Sequence, residues 1–373
     1  MSNPFDHRHG DHSGPGSLSL DEILSQPERW TASLSRLQES RVLETVRDRF
    51  VESEWLFAGC GSSYYVALCA AATMTACGRV RARAVPASEI LLNPQLVLPT
   101  SGGYVPVLIS RSGQTSEVLQ AAELFKAHSL PLLAISCAEN QTLENLATLT
   151  ITLPAADEKS TVMTRSFTSM LLALQNLSAV IGDHSDSRDS EKAPEVAKRL
   201  LQTLPARMHD FVARHNFADY VCLGQGPFYG LACEYALKVT EMSLSYAQAF
   251  HTLEFRHGPK SIVGPETLIV FLLSENGFAA ECDVLEEIKA LGATTMVITN
   301  GANDRVRAAA DLLIELSAEG PELARLAPSL IPGQLLGLYT GLKKGLNPDS
   351  PRNLSRAVIL GDRSSKKPEH ATF

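Results

Sequence analysis

Residues 54–70, EWLFAGCGSSYYVALCA, and residues 219–238, DYVCLGQGPFYGLACEYALK, carry the same pattern twice. Each begins with a short run of strand formers, continues with a Gly-x-Gly turn and ends in a helical stretch. Two further pairs follow in the same order, namely VPVLISRSG (105–113) with TLIVFLLSENG (267–277) and LPLLAISCAEN (130–140) with TTMVITNGAN (294–303). The separation within the three pairs stays at 163 to 165 residues, which indicates duplication of one α/β unit.

The alternation of short apolar runs with longer helical runs is typical of parallel sheets covered by helices on both faces. We therefore predict two homologous doubly wound, flavodoxin-like domains in tandem. The expected boundaries are a disordered tail at 1–17, a helical segment at 18–40, a first domain at 41–190, a second domain at 191–350 and a C-terminal tail at 351–373.

Composition narrows the class of protein. The 373-residue chain is 45% hydrophobic and carries a formal charge of -8, so it lacks the basic footprint of a nucleic-acid binder. No apolar run approaches the ~20 residues of a membrane span, and we expect no membrane partner. Seven scattered cysteines without CxxC pairs favour reduced thiols and a cytoplasmic location. His7, His9 and His12 could chelate a metal, but their Gly/Pro/Ser-rich setting favours a disordered tail.

The stretch 106–117, PVLISRSGQTSE, ends an apolar strand on a cluster of hydroxyls where a helix must begin. Ligands of such sheets bind beyond the carboxyl ends of the strands, next to free helix N–H groups. Ser110, Ser112, Thr115 and Ser116, with Gly113 for close backbone approach, therefore predict a phosphate site. Gly61, Ser62 and Ser63 could add donors from the neighbouring strand. The alternative is simple N-capping, which needs one hydroxyl rather than four. Neither a P-loop nor a dinucleotide motif is present, so a phosphorylated metabolite is favoured over a nucleotide.

The second Gly-x-Gly helix contains EYALKVTE, which places Glu234, Lys238 and Glu241 on one face. An exposed salt-bridge ladder is one explanation. The surrounding residues are apolar, however, so we favour charges that are paired or that line a cavity. His257 follows in FRHGPKS, on a turn fixed by Gly-Pro. A lone histidine is more often structural than catalytic. Two glutamates, a lysine and a predicted phosphate site on the same chain favour a catalytic role here.

Six segments, AGCGSSY, SRSGQTSE, MTRSFT, EYALKVTE, FRHGPKS and PRNLSRAV, together resemble the signature segments of tandem sugar isomerase (SIS) domain proteins. The match runs in order over roughly residues 50–360. The isomerase half of glucosamine-6-phosphate synthase is one relative that these segments resemble. EKSTVMTRSFTSM and FRHGPKS resemble the ketose/aldose isomerase and galactosamine-6-phosphate deaminase branch more closely still.

This resemblance implies a role for each matching residue. The phosphate would be held by Ser63, Ser110, Ser112 and Thr115, with Arg111 and Gly113 in the same loop. Thr161, Met163 and Thr164 fall in the sugar-contacting segment, and Arg356 replaces a family lysine that lies close to the open-chain sugar. Glu241 matches the carboxylate that moves a proton between C1 and C2. His257 matches a ring-opening histidine supplied by the partner subunit of a dimer, and Glu234 and Lys238 match polar partners of the reacting carbons.

The reaction that the resemblance implies is aldose-ketose isomerisation of a phosphosugar, most simply the isomerising deamination of a hexosamine 6-phosphate. It needs neither a metal nor an organic cofactor. The sequence shows no N-terminal glutaminase domain and no cysteine at position 2, so we expect no glutamine-dependent synthesis. Arginine cannot form an imine, which argues against a covalent step at Arg356. Two alternatives remain open: a non-catalytic phosphosugar sensor, and a deglycase that cleaves a sugar-phosphate adduct of an amino acid.

Overall fold

The computed structural model describes residues 14–50, 54–98, 103–182 and 190–360. His7, His9, His12 and the last part of the predicted C-terminal tail lie outside the described residues. Within the described part, no helix is long and apolar enough to cross a membrane.

Ten strands and fourteen α-helices make up the described chain. The strands are β1 Glu54–Gly59, β2 Ala82–Pro86, β3 Tyr104–Ile109, β4 Leu133–Ser136, β5 Leu149–Thr152, β6 Asp219–Gly224, β7 Tyr246–Phe250, β8 Thr267–Leu272, β9 Thr294–Thr299 and β10 Leu312–Glu315. The helices are α1 Ser17–Leu24, α2 Gln26–Ser40, α3 Val42–Phe50, α4 Ser62–Ala76, α5 Ala87–Leu92, α6 Pro94–Val97, α7 Ser116–Ala127, α8 Thr142–Leu146, α9 Arg165–Ile181, α10 Ala193–Arg214, α11 Pro227–Ser243, α12 Phe278–Ala290, α13 Asp304–Ala309 and α14 Leu326–Lys343.

The strands form two separate five-stranded sheets, and every pairing is parallel. The first sheet has the order β2-β1-β3-β4-β5, and the second repeats it as β7-β6-β8-β9-β10. The two Gly-x-Gly turns also repeat: Gly61 has φ 54° and ψ −127°, and Gly226 has φ 54° and ψ −128°. The predicted α/β fold with two doubly wound parallel sheets is therefore confirmed.

Helices α4 and α11, the two helices that follow the Gly-x-Gly turns, cross between the sheets. Gly230 permits the close crossing, because a Cβ there would lie 2.5 Å from the Cys69 Sγ atom. Helix α14 closes the other side of α11, where a Cβ on Gly341 would lie 2.1 Å from the Met242 carbonyl oxygen. One continuous apolar core joins these helices to both sheets. As a result, side chains on α11 of the second half reach the edge of the first sheet.

Candidate active site

A cavity of about 190 Å³, here called the first cavity, opens at the carboxyl edge of the first sheet. The loops after β1 and β3 meet there, at the point where the strand order reverses. Ten of the predicted site residues line it: Gly61, Ser62, Ser63, Arg111, Ser112, Thr115, Thr161, Met163, Glu241 and Arg356. The sequence analysis did not single out six others: Cys60, Val162, Leu354, Ser355, Ala357 and Val358. The cavity thus collects residues from both halves and from the C-terminal segment.

The hydroxyl groups of this cavity do not cap the adjacent helices. Neither α4 nor α7 has a side-chain cap hydrogen bond at its N-terminus, although Thr115 occupies the N-cap position of α7. Ser112 and Thr115 line the first cavity, next to the positive end of the α7 dipole. This arrangement favours a bound anion over simple helix capping.

Ser110 and Gly113 shape the β3–α7 loop without lining the cavity. The Ser110 Oγ atom accepts a hydrogen bond from the Gly113 N–H at 3.2 Å and lies 3.3 Å from the Thr115 Oγ1 atom. Gly113 has φ 64°, and a Cβ there would lie 2.7 Å from the Gln141 Cβ atom. A side chain at residue 113 would therefore deform the loop that presents Ser112 and Thr115.

Arg111 is the cationic residue of the β3–α7 loop, and it is 5% exposed. Its Nη1 atom lies 3.5 Å from the Glu158 Oε2 atom, and its Nη2 atom donates to the Arg356 carbonyl at 2.6 Å. The Nε and Nη1 atoms have no hydrogen-bond partner among the described residues. A buried donor without a hydrogen-bond partner costs free energy. An anion in the first cavity would supply the missing acceptor.

Glu158 was missed by the sequence analysis, although it begins the quoted segment EKSTVMTRSFTSM. Its Oε1 atom accepts hydrogen bonds from the Thr164 N–H at 2.6 Å and the Thr164 hydroxyl at 2.7 Å. Thr164 therefore holds Glu158 and does not line the first cavity, whereas Thr161 and Met163 do. In the sequence, the only available signal was an acidic residue in a hydroxyl-rich stretch.

The three charges of α11 form one buried cluster. The Lys238 Nζ atom lies 2.5 Å from the Glu241 Oε2 atom and 3.3 Å from the Glu234 Oε1 atom. The Ser62 hydroxyl donates to Glu234 at 3.0 Å, which ties the cluster to the first Gly-x-Gly turn. Glu234 and Lys238 are fully buried behind the cavity wall, and Glu241 reaches the cavity with a side chain that is 19% exposed.

Burial decides the protonation of this cluster. It raises the pKa of the Glu234 carboxyl to about 8, against the opposing effect of the Lys238 ammonium. Burial by itself would lower the pKa of Lys238, but the two neighbouring glutamates outweigh it and the pKa is raised. Near neutral pH the cluster therefore holds a charged lysine shared with Glu241 beside a largely protonated Glu234.

The segment 350–360 crosses from the second half onto the first cavity. Besides the bond from Arg111 to its carbonyl, Arg356 forms an ion pair with Asp157 through its guanidinium group. The Ser116 N–H donates to the Val358 carbonyl at 3.1 Å, and the Leu360 N–H donates to the Ser116 hydroxyl at 2.9 Å. Ser116 thus anchors this segment and does not line the cavity.

His257 lies apart from the first cavity of its own chain. It is exposed and follows a short 3-10 turn, Glu254–Arg256, and Gly258 after it has φ 116°. The side chain does not line the cavity. Its predicted contribution across a dimer interface stays a prediction.

Comparison with known proteins identifies the family. The SIS domain model matches residues 52–179 and 220–332, so the chain belongs to the SIS domain family. The first matched segment contains the first sheet, and the second contains all of the second sheet except its first residue, Asp219. The relatives described next are a deaminase, a ketose/aldose isomerase and an isomerising aminotransferase of phosphosugars, which supports an enzyme of the phosphosugar isomerase kind.

Two solved structures and one curated relative illustrate the similarity. Glucosamine-6-phosphate deaminase from Thermotoga maritima has a TM-score of 0.76 at 29% identity, covering 92% of this chain and all of that one. A putative tagatose-6-phosphate ketose/aldose isomerase from Clostridium novyi has a TM-score of 0.83 at 25% identity, covering 92% and 94%. The glutamine–fructose-6-phosphate aminotransferase of Helicobacter pylori is 27% identical over 87% of this chain. This chain spans only 55% of that relative, about half of its length.

Proposed function

We propose that this protein is an isomerising deaminase of an amino sugar phosphate, converting a hexosamine 6-phosphate and water to a ketohexose 6-phosphate and ammonia. One observation carries the proposal: a carboxylate, Glu241, and an anion site built around Arg111 and Thr115 line the same cavity. They come from opposite halves of the chain. The similarity to a glucosamine-6-phosphate deaminase over the whole of that chain supports the same chemistry.

In this proposal the phosphate occupies the end of the first cavity near the N-terminus of α7. Ser63, Ser112 and Thr115 supply hydroxyl donors there, and the unpartnered donors of Arg111 supply charge. The phosphate does not react. Its binding energy instead fixes the sugar so that the reacting carbons face Glu241.

Glu241 then transfers the hydrogen. Its carboxylate removes the proton from C2 of the open-chain sugar and returns it to C1, while a proton of the amino group passes to the C1 oxygen, which leaves a hydroxyl at C1 and an imine at C2. Water adds to this imine, and the ketone and ammonia result. Lys238, at 2.5 Å, orients the carboxylate, and the largely neutral Glu234 avoids a third buried charge beside the reacting carbons.

Ring opening is assigned to His257 of a partner subunit in a homodimer. Imidazole groups commonly donate and accept protons in catalysis, which suits the transfer of a proton to the ring oxygen. The exposed position of His257, outside the first cavity of its own chain, is what a histidine shared across subunits would show.

All seven cysteines are free thiols, which supports the proposed cytoplasmic location.

The test is a panel of hexose and hexosamine 6-phosphates incubated with the protein in D₂O. NMR should show deuterium at carbon-bound positions of the product, and an ammonia assay should show equal release of ammonia from the hexosamine phosphate. Glu241→Gln is the matched control, because it keeps shape and hydrogen-bonding capacity while it removes the base.

Other outcomes would select another function. Tight phosphosugar binding without exchange or ammonia would indicate a sensor. Release of an amino acid from a sugar-phosphate adduct, without deamination, would indicate a deglycase. Full activity of Glu241→Gln would overturn the assigned base.

A further inference from the structure

The second half has a cavity of its own at the corresponding edge. It measures about 340 Å³, here called the second cavity, and lies where the loops after β6, β8 and β9 meet. This is the point at which the order of the second sheet reverses, the location where ligands of doubly wound sheets bind. None of its lining residues belongs to the site proposed above.

The loop after β8 repeats the turn that follows β3. The Gly277 N–H donates to the Ser274 Oγ atom at 3.0 Å, as the Gly113 N–H donates to Ser110 in the first half. The two residues enclosed by the turn differ, because Glu275 and Asn276 stand where the first half has Arg111 and Ser112. The backbone geometry of a binding loop has thus been kept while its side chains have changed.

The changes remove what a phosphate would need. Helix α12 begins with Phe278, Ala279 and Ala280, so it offers no hydroxyl like that of Thr115. Phe228 occupies the position that Ser63 has after the first Gly-x-Gly turn. Glu275 brings a negative charge to the place of an arginine.

What the second cavity offers instead is carboxylate oxygens. Glu275 forms an ion pair with Arg325 through its Oε1 atom, and its N–H donates to the Glu322 Oε1 atom. The Oε2 atoms of Glu275 and Glu322 take no part in these contacts and can accept further hydrogen bonds. Burial raises the pKa of Glu322 because it disfavours the charged carboxylate. A positive charge placed beside this carboxylate would therefore be favourable.

A third carboxyl lies directly behind the turn. Glu281 is fully buried, and its Oε2 atom accepts the Ser274 N–H at 2.7 Å. Its Oε1 atom has no hydrogen-bond partner among the described residues and lies next to Gly277. The second cavity itself is lined by two carboxyl groups, Glu275 and Glu322, and one guanidinium, Arg325, so it favours cations over anions.

Apolar side chains complete the wall of the second cavity. Phe228 and Phe278 contribute rings, and Leu273, Ile298 and Leu316 contribute aliphatic groups. Such a wall suits the apolar face of a sugar ring or an aliphatic chain.

We propose that the second cavity binds a small, unphosphorylated ligand that carries a primary ammonium group on a ring or aliphatic body. The ammonium group donates to the free oxygens of Glu275 and Glu322, and the body of the ligand packs on Phe228 and Phe278. Arg325 holds Glu275 in place. This inference concerns a separate site and does not depend on the reaction in the first cavity.

The test compares two probes that differ only at C2, D-glucosamine and D-glucose, by calorimetric titration of the full chain. Glucosamine should bind saturably, and glucose about tenfold more weakly, as expected for one charged hydrogen bond. Glu322→Gln, which keeps the shape of the side chain, should weaken glucosamine binding by a similar factor. It should leave the affinity for glucose 6-phosphate unchanged.

The matched control is the double variant Ser112→Ala with Thr115→Ala in the first cavity. It should leave glucosamine binding intact. Equal affinities for glucosamine and glucose would overturn the proposal, as would the absence of saturable binding at millimolar concentrations. Loss of glucosamine binding only in the first-cavity variant would assign the amine to the first cavity. Because neither probe is phosphorylated, none of these results depends on whether the chain deaminates a phosphosugar.

Discussion

The two halves of this chain share one topology and have diverged in opposite directions. The first half keeps hydroxyls and Arg111 in the loop that follows its third strand, whereas the second half has Glu275 in the equivalent turn. The helices after the Gly-x-Gly turns differ the other way. Helix α11 carries Glu234, Lys238 and Glu241, where helix α4 has Cys69, Thr73 and Ala76.

This reciprocal difference yields a single combined site instead of two identical ones. The anion loop belongs to the first half and the charged helix to the second. Close packing of α4 on α11 at Gly230 joins them, because it brings Glu241 from the second half to the loops of the first. The comparison therefore predicts that loop variants change binding and helix variants change turnover.

The largest effect is expected from Glu241→Gln. Loss of a general base should lower kcat by about 10²- to 10⁴-fold. Binding of the phosphosugar should change little, since the loop of the first half is untouched. Steady-state kinetics together with a direct binding titration would check this, and a parallel loss of affinity would break the proposed division of roles.

The double variant Ser112→Ala with Thr115→Ala should have the complementary effect. Two hydrogen bonds to a charged group are lost, so KM should rise by about 100-fold while kcat stays nearly constant. Thr115 makes no side-chain cap bond, but Ser112 accepts the Gln114 N–H at 3.2 Å, so a urea titration should accompany the kinetics to show that the variant is folded. An unchanged affinity for phosphorylated sugars would remove the anion site from the first half.

Glu158→Gln should give a smaller change of the same kind. Glu158 forms an ion pair with Arg111. Loss of this one charged contact should raise KM by about tenfold with little change in kcat. The control is Glu22→Gln: Glu22 accepts the Ser160 N–H at 3.1 Å in the same loop and makes none of these contacts with Arg111. Equal rises in KM for both variants would reduce Glu158 to general support of the loop.

The smallest effect concerns stability against pH. Burial raises the pKa of Glu234 to about 8 and that of Glu281 to about 7 in the folded chain, above the ordinary value of 4.5. The folded state binds the extra protons, so the free energy of unfolding should fall as pH rises from about 4.5 to 8. Glu234→Gln and Glu281→Gln should each flatten this slope by about 1 kcal/mol per pH unit. Urea titrations at several pH values would measure it, and an unchanged slope in both variants would contradict it.

The sequence predicted the central strands of both sheets well and did not identify the outer ones. β1, β3, β6 and β8 are buried along almost their whole length, and continuous apolar runs made them visible. The outer strands β2 and β7 are only partly buried, so their sequences ARAVP and YAQAF lack such a run. A strand could be recognised from the sequence when both of its faces were buried, whatever its length.

The candidate site shows the same limit. Hydroxyls in a row and charges at helical spacing could be recognised, because local periodicity places them. Glu158 could not, because its importance comes from a contact with Arg111, which lies far away in the chain. The segment 351–358, with Arg356, was recognised only through the family resemblance, and its contacts with Arg111 and Ser116 became visible only in the structure. Likewise, the sequence could not separate Ser112, which lines the first cavity, from Ser110, which does not, although both accept a hydrogen bond within their own loop.

The sequence by itself determined that an α/β unit occurs twice, that one copy carries an anion loop and that the other carries a charged helix. These properties are local, since strand, turn and helix patterns depend on neighbours a few residues apart. Only the tertiary structure decided that loop and helix share one cavity, and that the second sheet keeps a separate cavity lined with carboxylates. Those outcomes depend on how closely α4 and α11 pack, and that distance is set by side-chain volumes from both halves at once.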